Sequence, residues 1–231
     1  MRIMAVFAHP DDEIGASGTL AKHARRGDSV KLVWLTKGEL ASQFGDTAPA
    51  EVARIRTGHG ERVAEIIGAE PLFLGFGDSK LTGGREEALA VAKVIAEFKP
   101  DCLITWDSQD VHPDHRATHW ATYSAVKLAR IPKLVGDPQR GNLRLFHYPR
   151  REIERPVIHI DISETVEVVE EVFKFYREFY QWPFDTDILR ARLAQVGMAT
   201  GAAYAERFQI AASEAPAFPY LPGPGVLPDL R

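Results

Sequence analysis

Cysteine is nearly absent from this chain: Cys102 stands alone. A single thiol excludes an internal disulfide framework and fits a reducing compartment. It lies in the apolar run Asp101-Cys102-Leu103-Ile104-Thr105-Trp106, so it reads as a buried strand residue and not as a reactive thiol. Missing too is any apolar run long enough to cross a membrane, which takes about 18 residues or more. The apolar stretch 3–8 is far too short for the core of an export signal and gives way at once to His9-Pro10-Asp11-Asp12-Glu13. The expectation is a first core strand in a cytoplasmic protein with no membrane span. Nor is positive charge in excess. Lys and Arg number 28 against 32 Asp and Glu, a net charge of −4, whereas a nucleic-acid surface needs a basic face. No nucleic-acid partner is expected. There is no internal repeat, and Gly75-Phe76-Gly77 lacks the third glycine of a dinucleotide fingerprint, so it reads as a turn.

What is present suits one globular domain over 1–231. The 231 residues are 45% hydrophobic and 26% charged, ordinary values for a soluble fold. A chain of this length buries roughly 70–75% of its unfolded surface and needs no staples. Short β-branched runs at 3–8, 30–35, 71–74 and 102–105 alternate with helical spacing at 14–26, 50–67, 85–98 and 114–130. Gly27 and Gly68 close the first two helices as C-caps. Four strands each followed by a helix imply βαβ units, hence a Rossmann-like, doubly wound, mainly parallel sheet flanked by helices over 1–140. From 141 to 213 the texture changes to a smaller α+β portion. Strands are expected at 143–148 and 157–162, a helix capped by Ser163 at 166–180, and another at 188–196. The segment 214–231 holds five of the fifteen prolines and reads as an extended arm that packs on protein.

Two polar clusters carry the chemistry. His9-Pro10-Asp11-Asp12-Glu13 follows the first strand, and His112-Pro113-Asp114-His115, preceded by Asp107 and Asp110, follows the fourth. In a sheet of order 3-2-1-4 these strands are neighbours at the switch point, where ligands bind. Clusters roughly 100 residues apart in sequence therefore face each other across one cleft. A lone Asp before a helix is usually a cap; two such clusters at the two strand ends that border the switch are not explained by capping. Two imidazoles and one carboxylate suit a divalent metal with an open position for water. Asp11 and Asp12 are adjacent, so one can bind metal while the other serves as general base, and a remaining histidine can donate to a developing oxyanion.

The motif pair resembles that of the LmbE-like, or PIG-L, de-N-acetylase family. Gly18-Thr19-Leu20, Leu35-Thr36-Lys37-Gly38-Glu39, Arg56, Asp78 and Tyr204-Ala205-Glu206-Arg207-Phe208 resemble further landmarks of it. The resemblance implies a zinc-dependent hydrolase, with Fe2+ as another candidate metal, that removes acetyl from an N-acetylglucosamine-containing small molecule. It implies His9, Asp12 and His115 as metal ligands, Asp11 as general base, and His112 as the oxyanion-stabilising histidine with Asp114 as its partner. It also implies Arg56 and Asp78 as contacts for an N-acetylated amino-sugar substrate, and a homo-oligomer, trimer or hexamer. Where some members carry a tyrosine two residues before His112, this chain has Asp110, so no tyrosine role transfers.

Trp106 is a candidate wall for a sugar ring, and Glu39, after the second strand, lies close enough to the cleft to contact substrate. His119 is expected to pack structurally, and His23, His147 and His159 have no carboxylate partner nearby in sequence. Three other readings stay open beside acetyl removal. One is an amidase for a larger amide conjugate of a glucosamine-type thiol or glycoside. The others are a non-haem iron oxygenase, which uses the same ligand set, and a metal- or sugar-binding protein without turnover.

Overall fold

A computed structural model describes residues 1–148 and 157–210. The arm expected at 214–231 lies outside the described residues. One seven-stranded sheet runs β3-β2-β1-β4-β5-β7-β6. Its strands are β1 (Arg2–Phe7), β2 (Ser29–Thr36), β3 (Glu70–Phe76), β4 (Cys102–Trp106), β5 (Arg144–Tyr148), β6 (Val157–Asp161) and β7 (Ala205–Ile210). The first five are parallel; β7 is antiparallel to both β5 and β6. The helices are α1 (Ser17–Arg25), α2 (Pro49–Ile67), α3 (Arg85–Phe98), α4 (Pro113–Leu128), the short α5 (Pro132–Val135), α6 (Val166–Tyr180) and α7 (Thr186–Met198).

The central strands are apolar without interruption because both of their faces are covered. Ile3, Ala5 and Phe7 of β1 enter a core shared with α1, α2 and α6, whereas Met4 and Val6 enter a second core under α3 and α4. β2 divides the same way, with Leu32 and Trp34 on one side and Val33 and Leu35 on the other. Each buried Leu or Phe side chain contributes roughly 1.5–3 kcal/mol by leaving water. Cys102 is buried on β4, as expected.

The structure departs from the sequence reading at three places. The helix expected at 14–26 is broken: a 3-10 turn spans Asp12–Ala16 and α1 begins only at Ser17. Its tighter winding sends three successive acids, Asp11, Asp12 and Glu13, to three different partners. Ser163 does not cap α6, whose N-cap is Thr165; the Ser163 hydroxyl donates to Asp161 (2.6 Å) and accepts the Tyr204 N–H (3.2 Å). β7 was not foreseen, because Glu206 and Arg207 interrupt its apolar pattern. Glu206 is nevertheless buried, and its carboxylate accepts the Gly18 and Thr19 N–H groups at 2.9 and 2.8 Å. It thereby satisfies two of the orphan donors that open α1.

Candidate active site

The parallel pairing of β1 with both β2 and β4 places the switch point at the end of β1, and both polar clusters meet there. The imidazole centroids of His9 and His112 are 5.0 Å apart, those of His112 and His115 4.6 Å, and those of His9 and His115 5.6 Å.

Asp12 is fixed by its surroundings. One carboxylate oxygen accepts the N–H groups of Ala8 (3.0 Å) and His9 (2.9 Å) and the Trp106 indole N–H (3.0 Å). The other stands 3.1 Å from His115 Nε2. Burial would push this carboxyl up, but the charges and hydrogen bond of His115 and His9 hold it well below the usual carboxylate range. Asp11 points elsewhere. Its backbone lies in the left-handed region at φ 109°, uncommon for a residue with a side chain, and Glu13 holds it there by accepting the Asp11 N–H at 3.0 Å. The Asp11 carboxylate meets Arg56 Nη2 at 3.2 Å. Burial raises its pKa to about 6, with Arg56 opposing the rise. Arg56 is anchored in turn on the carbonyls of Gly38 (2.9 Å) and Pro10.

The histidine tautomers follow from their partners. His115 donates Nδ1–H to Asp110 at 2.9 Å, so its neutral form presents the Nε2 lone pair toward Asp12. Its ring stacks on Trp106 at 3.9 Å with 5° between planes. His112 caps α4, and its Nδ1 accepts the Asp114 N–H at 3.2 Å, which leaves the proton on Nε2. Burial, then the neighbouring His115 and His9, lower the His112 pKa, so its ring stays a neutral donor. His9 Nε2 faces Asp114 (3.2 Å) and Asp78 (3.3 Å), and its Nδ1 is 3.7 Å from Asp12. Burial alone would lower His9 and His115, but the carboxylates around them prevail and raise them to about 10 and about 9.

That balance tests the fit of a cation. Asp12, Asp78, Asp110 and Asp114 are all buried, and one Asp114 oxygen has no hydrogen-bond partner. Buried carboxylates demand positive charge, which the histidines supply here by binding protons and which a divalent ion would supply in their place. Ring nitrogens of His9, His112 and His115 lie within 4.8 Å of one another, as do donor atoms of His9, Asp78 and Asp114. Two atoms bound to one zinc are roughly 3.3 Å apart at ~2 Å bond lengths, so the 3.1 Å between Asp12 and His115 suits a shared ion. The donor set fits.

Other expected site residues fall into place less evenly. Asp78 lines the cleft and accepts the Leu40 N–H at 2.9 Å. Glu39 is not on the wall of the main cavity; it braces Asp78 by accepting that residue's N–H at 2.9 Å. Trp106 reaches the cavity, but one ring face is spent on His115, so it backs that histidine instead of offering that face to a sugar. The Asp114 carboxylate is turned to His9 and to the Ser79 N–H (2.7 Å), and only its backbone touches His112. His119 is buried and bonded to the Trp106 carbonyl at 2.9 Å, whereas His23 does have a carboxylate partner, Asp28, at 2.7 Å. Sequence reasoning gave no role to Asp110 or Glu13, the two acids that orient His115 and Asp11. Nothing in spacing alone separates such bracing acids from ordinary caps.

Comparison with known proteins identifies the chain's relatives. A family model described as PIG-L, GlcNAc-PI de-N-acetylase, matches residues 4–126. A 1D-myo-inositol 2-acetamido-2-deoxy-alpha-D-glucopyranoside deacetylase from Thermobifida fusca is 31% identical over 191 residues, 68% of this chain and 65% of the relative. The chain thus spans just under two thirds of that curated relative's length. Among solved structures, the N,N'-diacetylchitobiose deacetylase from Pyrococcus horikoshii superposes with a TM-score of 0.80 at 25% identity, covering 91% of this chain and 83% of the other. The protein TT1542 from Thermus thermophilus gives 0.79 at 28% identity, covering 93% and 99%.

Proposed function

The chain belongs to the PIG-L family, and from that premise we propose that it is a metal-dependent amide hydrolase that removes acetyl from an N-acetylglucosamine-containing small molecule. The observation that carries the reading is the divergence of the adjacent aspartates: Asp12 faces His115, whereas Asp11 is turned aside onto Arg56. His9, Asp12 and His115 would hold the ion, taken as zinc. When bound, it supplies a Lewis acid and lowers the pKa of a coordinated water. Asp11, unused as a ligand and with its pKa raised to about 6, takes a proton as the acetyl carbonyl is attacked. His112 donates from Nε2 to the oxygen that becomes negative. Asp114 acts on His112 through its backbone and on His9 through its carboxylate. Arg56 and Asp78 face the hydroxyls of the sugar.

The same reading places the protein in the cytoplasm, where a lone buried thiol is at home, as a homo-oligomeric trimer or hexamer measurable by light scattering. The functional test is acetate release from 2-acetamido sugars and their glycosides. Turnover should vanish on chelation and return with zinc. A zinc-loaded protein that releases no acetate from any of them contradicts the reading.

A further inference from the structure

The cleft continues well past the reacting groups. Its volume is about 920 Å3, at the upper end of the ~300–1,000 Å3 that encloses a drug-sized ligand. An acetamido sugar alone does not fill it. Its lining changes character across the switch point. On the side of β2 and β3 it is mainly polar: Ser42 and Gln43 after β2, Arg56 on α2, and Asp78 and Ser79 after β3, with Leu40 and Ala41 beside them. On the side of α6 and α7 it is mainly apolar, with Val169, Phe173, Trp182, Phe184, Leu193 and Val196 facing the same space, and Arg192 lies 5.1 Å from the Phe184 ring centroid. Three of these form one wall of rings. Phe173 lies 5.6 Å from Trp182 and 5.2 Å from Phe184, and the planes of Trp182 and Phe184 are 2° apart. Phe173 is buried, but Trp182, Phe184, Leu193 and Val196 are only half-buried, so among the described residues part of this apolar surface is left open. Glu206 and Arg207 stand at the β7 edge of this chamber.

The geometry points to a second subsite: the chamber between α6 and α7 takes an apolar group carried on C1 of the amino sugar. The inference rests on the proposed deacetylation and narrows its substrate class. With the 2-acetamido group at the histidine cluster and the C3, C4 and C6 hydroxyls on the polar side, C1 is the ring carbon on the opposite flank of C2. Its substituent leaves the ring away from Arg56 and Asp78, toward the rings of Phe173, Trp182 and Phe184. An alkyl or aromatic aglycone there removes apolar area from water on both partners, whereas a hydrogen, methyl or polyol would leave the wall wet.

The test compares the zinc-loaded full chain on N-acetylglucosamine, methyl and hexyl 2-acetamido-2-deoxyglucosides, and N-heptanoylglucosamine. The hexyl glycoside should exceed N-acetylglucosamine in kcat/KM by about 10-fold or more, chiefly through KM, because each buried methylene is worth roughly 3- to 4-fold at most. Leu193→Asp should abolish most of that preference, and Phe184→Ala should reduce it should the first variant fail to fold. Equal kcat/KM for hexyl and methyl glycosides overturns the inference. So does faster cleavage of N-heptanoylglucosamine than of the hexyl glycoside, which would put the chamber on the acyl side. If no amide is cleaved, the functional reading fails separately, and calorimetry still decides the subsite. Hexyl glycoside binding at least about 10-fold tighter than methyl, and losing that margin in Leu193→Asp, supports the chamber; equal affinities overturn it.

Discussion

Removing the Glu13 carboxylate should be among the costliest single changes in the molecule. Glu13 is fully buried and accepts three hydrogen bonds: the Asp11 N–H at 3.0 Å, the Trp34 indole N–H at 3.1 Å and the Tyr176 hydroxyl at 2.6 Å. Glu13→Ala orphans all three donors, each at about 1–3 kcal/mol. The expected loss is roughly 3–9 kcal/mol, a large part of the ~5–15 kcal/mol that holds a typical domain together. Glu13→Gln is milder. Its carbonyl oxygen can still receive the two N–H donors, and only the Tyr176 hydroxyl loses its acceptor, so the loss is about 1–2 kcal/mol. Tyr176→Phe should cost a similar amount alone and little more in the Gln background, a coupling a double-mutant cycle reads directly. Urea unfolding of the four proteins is the assay. The Ala variant should also lose kcat out of proportion to KM, since the left-handed Asp11 backbone is freed from one of its anchors. An alanine variant within about 0.5 kcal/mol of the parent, or a glutamine variant as damaged as the alanine one, refutes the reasoning.

Other positions give independent checks. Asp110→Asn removes the carboxylate that receives His115 Nδ1–H and should weaken zinc affinity by about 10- to 100-fold, read by competition with a chromogenic chelator. Gly38→Ala puts a methyl 2.2 Å from Arg56 Nη1 at a residue with φ +64°. It should destabilise by about 1 kcal/mol or more in thermal melts and lower kcat by displacing Arg56 from Asp11. His59 sits 4.2 Å from Phe179 in an aromatic nest, where burial, then Arg56, depress its pKa from 6.5 to about 4. Its folded-state pKa lies below the unfolded one, so stability is full above pH 6.5 and is lost as the pH falls toward 4. His59→Phe should flatten the fall in Tm across that window, and an unchanged pH profile would show that the ring titrates freely.

The doubly wound core and the cleft were legible because each rests on local rules. Unbroken apolar strands mean two covered faces, and polar clusters after β1 and β4 converge once those strands are neighbours. The sheet order β3-β2-β1-β4 is as expected. What stayed hidden depends on long-range satisfaction. β7 looked too charged for a strand until Glu206 met the first turn of α1, and the helix after β1 looked continuous because 3-10 and α turns share their apolar spacing. Glu13 read as the last letter of a motif, yet its partners Trp34 and Tyr176 lie 21 and 163 residues away. Proximity puts Trp106 and Glu39 near the site, but the stacking of Trp106 on His115 and the hydrogen bond of Glu39 to Asp78 are protein contacts that spacing alone does not reveal.

The division of labour between two neighbouring carboxylates is the core of the account, and zinc stoichiometry measured beside kcat in Asp11→Asn and Asp12→Asn tests it most directly. Asp11→Asn should retain one zinc per chain while kcat falls by about 10²-fold or more, the scale of a positioned base. Asp12→Asn should lose zinc, and excess metal should restore part of its activity. Loss of zinc from Asp11→Asn with full retention in Asp12→Asn would contradict the account.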